Sequence, residues 1–216
     1  MCWNEPVSWA TFILGTLVNV ACASLTSAKH RLWFVLFQSV MTVQLGEALI
    51  WHEPEGTLGN IGSYIVFFSI WLQPIIIVWL LASYGISTLI LYGLVALLLV
   101  YAVSSIESIK HLASSNFKPE ICNSDNKHHI YFNDMGDVTS VLYGAIIALF
   151  LITLFPQFPY ITGFLVATYA ISQIFYKDML GSMWCWFSVA SPAVFYLTRN
   201  LPVLTSWSQI AKTILK

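Results

Sequence analysis

Apolar residues dominate long unbroken stretches of this chain, and polar residues are confined to the short segments between them. The stretches run approximately Val7–Ser27, Leu32–Trp51, Asn60–Ser83, Ile86–Ile106, Val138–Phe155, Tyr160–Tyr176 and Gly181–Leu197. A hydrocarbon core of about 30 Å needs roughly 20 apolar residues in a helix, and each stretch meets or approaches that length. Barrel strands would alternate over short segments, so the pattern predicts helices. The expected fold class is all-α: a polytopic membrane protein of seven transmembrane helices. The first stretch lacks a basic leader and a small-residue cleavage site, and reads as a retained helix.

Composition agrees with lipid as the solvent. Of the 216 residues 58% are hydrophobic, 15% aromatic and only 9% charged, a balance that a soluble domain of this size could not expose. Basic residues then set an orientation, because short loops rich in Lys and Arg stay inside. Lys29 and Arg31 lie between the first two stretches, and Arg199, Lys212 and Lys216 follow the seventh. An odd number of crossings therefore places the N-terminus outside and the C-terminus inside. The acidic second loop, His52-Glu53-Pro54-Glu55, falls outside, as does the long loop at about 107–137 with Lys110, Lys118 and Lys127 offset by carboxylates. Residues 1–200 thus form a bundle. Residues 201–216 form a tail with apolar positions near helical spacing, readable as a short amphipathic interfacial helix or as a frayed end.

Polar groups inside the spans carry the chemical information, since an ionised side chain at mid-membrane costs at least about 2.5 kcal/mol. Glu47 is the one carboxylate placed firmly within a span, roughly 7 Å below the outer end of the second helix at His52. Gln44 precedes it by three residues and Trp51 follows by four, so the three share a helix face. Burial favours the neutral form of a carboxyl and moves its titration towards physiological pH. Asn19, Gln73 and Gln173 read as interhelical hydrogen-bonding groups. Pro74 and Pro192 are expected to loosen the third and seventh helices. Trp184 and Trp186, at the outer end of the seventh helix, fit a ligand wall or an interfacial anchor. Cys2 and Cys122 both fall outside, where an oxidising compartment permits a disulfide between them. The histidines and carboxylates of the long loop have no metal-ligand spacing and read as a solvated surface.

Three functions follow as expectations. One is transport or conduction of a small cation, most simply a proton, with Glu47 titrating beside Gln44, His52 and Gln73. Another is a receptor-like or lipid-binding protein in which Trp51, Trp184 and Trp186 pack a ligand and Glu47 orients it. The third is a structural component in which Glu47 fastens helices. Enzymatic activity has no supporting motif and nucleic acid is not an expected partner; lipid is, and self-association remains open. No cofactor is expected: the seventh helix has neither the lysine of a retinal protein nor the histidines of an intramembrane zinc hydrolase.

Three segments carry a family resemblance. They are the opening Met1-Cys2-Trp3-Asn4-Glu5-Pro6-Val7-Ser8, the run Arg31-Leu32-Trp33-Phe34 continuing to Gln44-Leu45-Gly46-Glu47-Ala48-Leu49-Ile50-Trp51, and Gly181-Ser182-Met183-Trp184-Cys185-Trp186. The chain resembles a family of uncharacterised multi-pass membrane proteins of large DNA viruses and some protists. The resemblance implies fold and membrane location, whether plasma, endomembrane or viral, and implies no reaction.

Overall fold

The computed structural model describes residues 4–112, 120–124, 127–131, 137–175 and 188–201. Helix α1 spans Glu5–Ser24 and is started by Asn4, whose side-chain oxygen accepts from the Val7 amide at 3.1 Å, with Pro6 in the first turn. That satisfies one of the donors that a helix N-terminus leaves open. The helix is inverted relative to one in a water-soluble protein. Ser8, Thr11, Gly15 and Asn19 are buried, whereas Leu14 and Leu17 are 61% and 62% exposed. An apolar surrounding favours that arrangement.

A 3-10 turn at Ala28–His30 leads into α2, Arg31–His52, the most enclosed element. Trp33, Met41, Gln44, Ala48 and Ile50 are fully buried along it, because α2 packs against α1 on one side and α3 on the other. Asn19 stitches α1 to α2. Its amide donates to the Phe34 carbonyl at 2.9 Å and to Gln38 Oε1 at 3.0 Å, and Gln38 in turn donates to Thr16. Asn19 is thus the interhelical bridge its position suggested.

Helix α3, Thr57–Ser83, runs back along α2 without interruption at Pro74. The two backbones nearly touch at Gly46 and Gly62: a Cβ on Gly62 would lie 2.5 Å from the Gly46 carbonyl oxygen. Small residues at this point allow packing that larger ones would prevent. The turn to α4 passes through Gly85 at φ 70°, left-handed backbone that glycine adopts without steric cost.

Helix α4, Thr88–Leu112, continues beyond the expected end at Ile106. It buries Leu94, Tyr101 and Ser105 on one stripe and exposes Leu89, Leu99 and Val103 on the other. Within the expected long loop, strands β1, Glu120–Ser124, and β2, Lys127–Tyr131, form an antiparallel hairpin with Cys122 opposite His129. This local pairing is an addition to the all-helical expectation. Helices α5, Asp137–Leu154, and α6, Pro159–Phe175, follow, joined by a turn at residues 155–158. Thr139 donates to Ser104 at 2.9 Å, fastening the start of α5 to the end of α4.

A second 3-10 turn, Ser188–Ala190, precedes α7, Ser191–Thr198. Pro192 lies in the first turn of α7, where its missing N–H would have had no intrahelical partner; the preceding residues 181–187 of the expected seventh helix lie outside the described residues. Helix α7 returns to α1 as well as to α6.

The principal core lies where α1 and α7 end and α2 begins. Trp33 stacks on Phe195 at 4.7 Å, and Phe158 meets Trp33 at 5.5 Å and Tyr84 at 5.1 Å. These rings come from α2, α7, the α5–α6 turn and the α3–α4 turn. All four segments therefore meet at one end, and the described helices alternate up and down.

Among the described residues four helices are long and apolar enough to cross a membrane: Glu5–Ser24, Ala28–His52, Thr57–Ser83 and Thr88–Glu107. Two shorter apolar helices accompany them, Val138–Leu154 and Pro159–Phe175. At 1.5 Å per residue the 17 residues of α6 reach about 26 Å, just short of the hydrocarbon thickness.

Candidate functional site

The register of α1 against α2 determines which side chains share the level of Glu47. The two helices run antiparallel, with Asn19 against Phe34 and Gln38, Gly15 against Met41, and Glu5 against His52. Interpolation places Ser8 and Thr11 beside the turn of α2 that contains Gln44, Glu47 and Ala48. All four polar residues are sealed: Ser8 and Gln44 have no exposure, Glu47 has 1% and Thr11 has 6%.

Gln44 Nε2 donates to Glu47 Oε2 at 2.9 Å, one helical turn away. The orienting hydrogen bond anticipated between these residues is present. Ser8 Oγ and Gln44 Oε1 accept or donate no hydrogen bond among the described residues. A buried amide or hydroxyl without a partner costs on the order of 1–3 kcal/mol. These polar groups share one level, in a part of the bundle otherwise built from Val43, Ile50 and Val66. On α3 the facing residues are small, with Gly62 against Gly46 and Ser63 turning its hydroxyl back to the Gly59 carbonyl at 2.9 Å.

His52 stands at the rim. Its Nδ1 lies 2.9 Å from Glu5 Oε1, and both side chains are exposed to solvent, so the pair joins the start of α1 to the end of α2 above the buried cluster. Trp51 is half-buried and packs against the Val43, Ile50 and Val66 group. Gln73 belongs elsewhere. It accepts from the Tyr143 hydroxyl of α5, and by the Gly46–Gly62 register it sits about 18 Å further along α3 than the level of Glu47. Gln73 is thus an α3–α5 bridge. Trp184, Trp186 and Cys2 lie outside the described residues, as does the tail beyond Leu201; Cys122 is on β1. Among the described residues no group of three His, Cys, Asp or Glu side chains is placed to hold a metal ion.

Ser8 and Thr11 are the site residues that reading the sequence missed. Their signal was present in the spacing Ser8, Thr11, Gly15, Asn19, a three-four-four stripe of small and polar residues on an otherwise apolar helix. A second cluster, at the opposite end, also went unseen. His30 Nδ1 shares a hydrogen bond with the Tyr84 hydroxyl, to which Trp33 Nε1 donates at 3.2 Å. Desolvation pushes the Tyr84 phenol up to about 12, against the lowering effect of the Trp33 bond. The rings around it are in mutual contact, with Trp33 and Phe195 fully buried, while His30 and Tyr84 are half-buried at the edge of that core.

Compared with protein-family models, with curated proteins and with solved structures, the chain has no match.

Proposed function

We propose that this chain is a multi-pass integral membrane protein that passes a small cation, most simply a proton, through a site centred on Glu47. The observation that carries the reading is the burial of Glu47, bonded to Gln44, at the same level as the enclosed hydroxyls of Ser8 and Thr11. An intramembrane carboxyl is costly when ionised, and its usual companions are ion or proton pathways. Gaining a proton at a Glu47 oxygen would neutralise the group, and Gln44 would hold the other oxygen in place. The exposed His52–Glu5 pair would stand at the mouth. In this reading α5, α6 and the segment ending in α7 complete seven crossings. The acidic and hairpin-bearing end faces outward, and the end carrying Lys29 and Arg199 faces the cytoplasmic side. The resemblance to viral and protist membrane proteins supports the same location. A ligand-binding reading retains only Trp51 among the described aromatic candidates.

The test is proton and cation flux into liposomes containing the purified protein, under imposed pH and voltage gradients. Glu47→Gln keeps the shape and removes the titration, so it should abolish flux while melting with the wild-type protein. Absence of flux in the folded wild-type protein, or equal flux in the variant, would overturn the proposal. A variant that only melts at lower temperature would identify Glu47 as a helix fastener.

A further inference from the structure

Among the described residues the aromatic end of the bundle carries charge of one sign. None of the ten Asp and Glu residues falls in segments 25–31, 84–87, 155–158 or 199–201, and the same segments hold Lys29, Arg31 and Arg199. The rings gather these segments together: His30 lies 5.9 Å from the Tyr84 ring, 6.0 Å from Phe158 and 5.8 Å from Phe195.

Two of the cations stand on segments that meet at His30. Lys29 precedes His30 and holds its Nζ 5.6 Å from the centre of the Tyr84 ring. Arg199 follows Phe195 by one helical turn, its amide bonded to the Phe195 carbonyl at 2.9 Å. Its guanidinium lies 4.0 Å over the Tyr196 ring. A guanidinium and an ammonium on segments that meet at one aromatic cluster match a phosphate group. The surroundings match an acyl chain, since Leu25 and Leu197 at the same end are 66% and 72% exposed.

We propose that Lys29 and Arg199, carried by segments that meet at the His30 ring, bind the phosphate headgroup of an anionic phospholipid in the leaflet at that end. The site requires a bundle lying in a bilayer and is independent of cation passage. Anionic lipid attracts a juxtamembrane cation strongly enough that each charge removed should weaken retention about fivefold.

The experiment is native mass spectrometry of the full chain in detergent, titrated with phosphatidylserine or phosphatidylcholine. The wild-type protein should retain phosphatidylserine preferentially. Lys29→Gln, an exposed change away from helix capping, should lower that retention about fivefold, and the Lys29→Gln/Arg199→Gln double variant about 25-fold. Lys110→Gln, which disrupts an exposed pair with Glu107 at the far end of α4, should leave it unchanged. Equal retention of the two lipids, or undiminished preference in Lys29→Gln, would overturn the proposal. Displacement of phosphatidylserine by millimolar inorganic phosphate would replace the lipid with a soluble anion and overturn it too. Flux has no part in this readout, so failure of the transport proposal is seen separately.

Discussion

Replacing Gly62 with alanine puts a methyl group where α2 and α3 have no room for one. The new Cβ would stand 2.5 Å from the Gly46 carbonyl oxygen, 2.9 Å from Ile50 Cγ1 and 3.1 Å from the Ile50 amide nitrogen. Ordinary contact begins near 3.4 Å, so the helices must part by about 0.9 Å. A swinging side chain could yield, but two of these three atoms are backbone. Overpacking costs about 1–3 kcal/mol, and rigid neighbours put this change in the upper half of that range. For a chain of this size the midpoint should fall by roughly 4–12 °C. Thermal unfolding of purified protein in detergent, followed by size-exclusion chromatography, measures it. Gly93→Ala is the control, because its Cβ meets nothing within 4 Å; there alanine should match or exceed glycine by about 0.5–1 kcal/mol. The close-approach argument fails if Gly62→Ala melts with the wild-type protein, or if Gly93→Ala falls equally far.

Two further predictions concern hydrogen bonds. Asn19→Ala removes the donors to the Phe34 carbonyl and Gln38 and should destabilise the bundle by about 0.6–1.7 kcal/mol, read as a lowered midpoint in the same melt. Tyr84→Phe removes the hydroxyl between His30 and Trp33. The folded phenol titrates at about 12 and an unfolded one near 10, so between those values the unfolded chain has lost a proton that the folded one keeps. Wild-type stability should therefore fall across pH 10–12 more steeply than that of Tyr84→Phe, and parallel slopes in alkaline melts would contradict the assignment.

The long helices were legible because α1 to α4 owe their existence to continuous apolar runs, a signal that needs no tertiary knowledge. Their ends were less so. Helix α4 passes through Glu107 to Leu112 because an exposed helical turn in water tolerates charge, and Glu107 bonds Lys110 at 2.8 Å. Glu47 and Gln44 were found as a pair because their spacing of three is local to one helix. Gln73 was grouped with them on polarity alone; only the α2–α3 register reveals its separation. Ser8 and Thr11 went unnoticed because in a membrane helix small polar residues cost little to insert, and their meaning depends on which neighbour they face. The His30, Tyr84, Phe158 and Phe195 cluster draws on four segments far apart in the chain, so no sequence window contains it.

The contact between α1 and α7 bears on biosynthesis. Gly15 of α1 offers its bare backbone to Met41 and to Val189, whose Cγ1 lies 3.4 Å from where a Cβ would be. The first described helix to leave the ribosome therefore finds one flank of its partner surface early, on α2, and the other only when the segment around Val189 emerges. During that interval the small, polar stripe of α1 is half covered. A translocon that releases helices singly into lipid would expose it, whereas one that retains α1 and α2 as a pair would shield it until the ring closes.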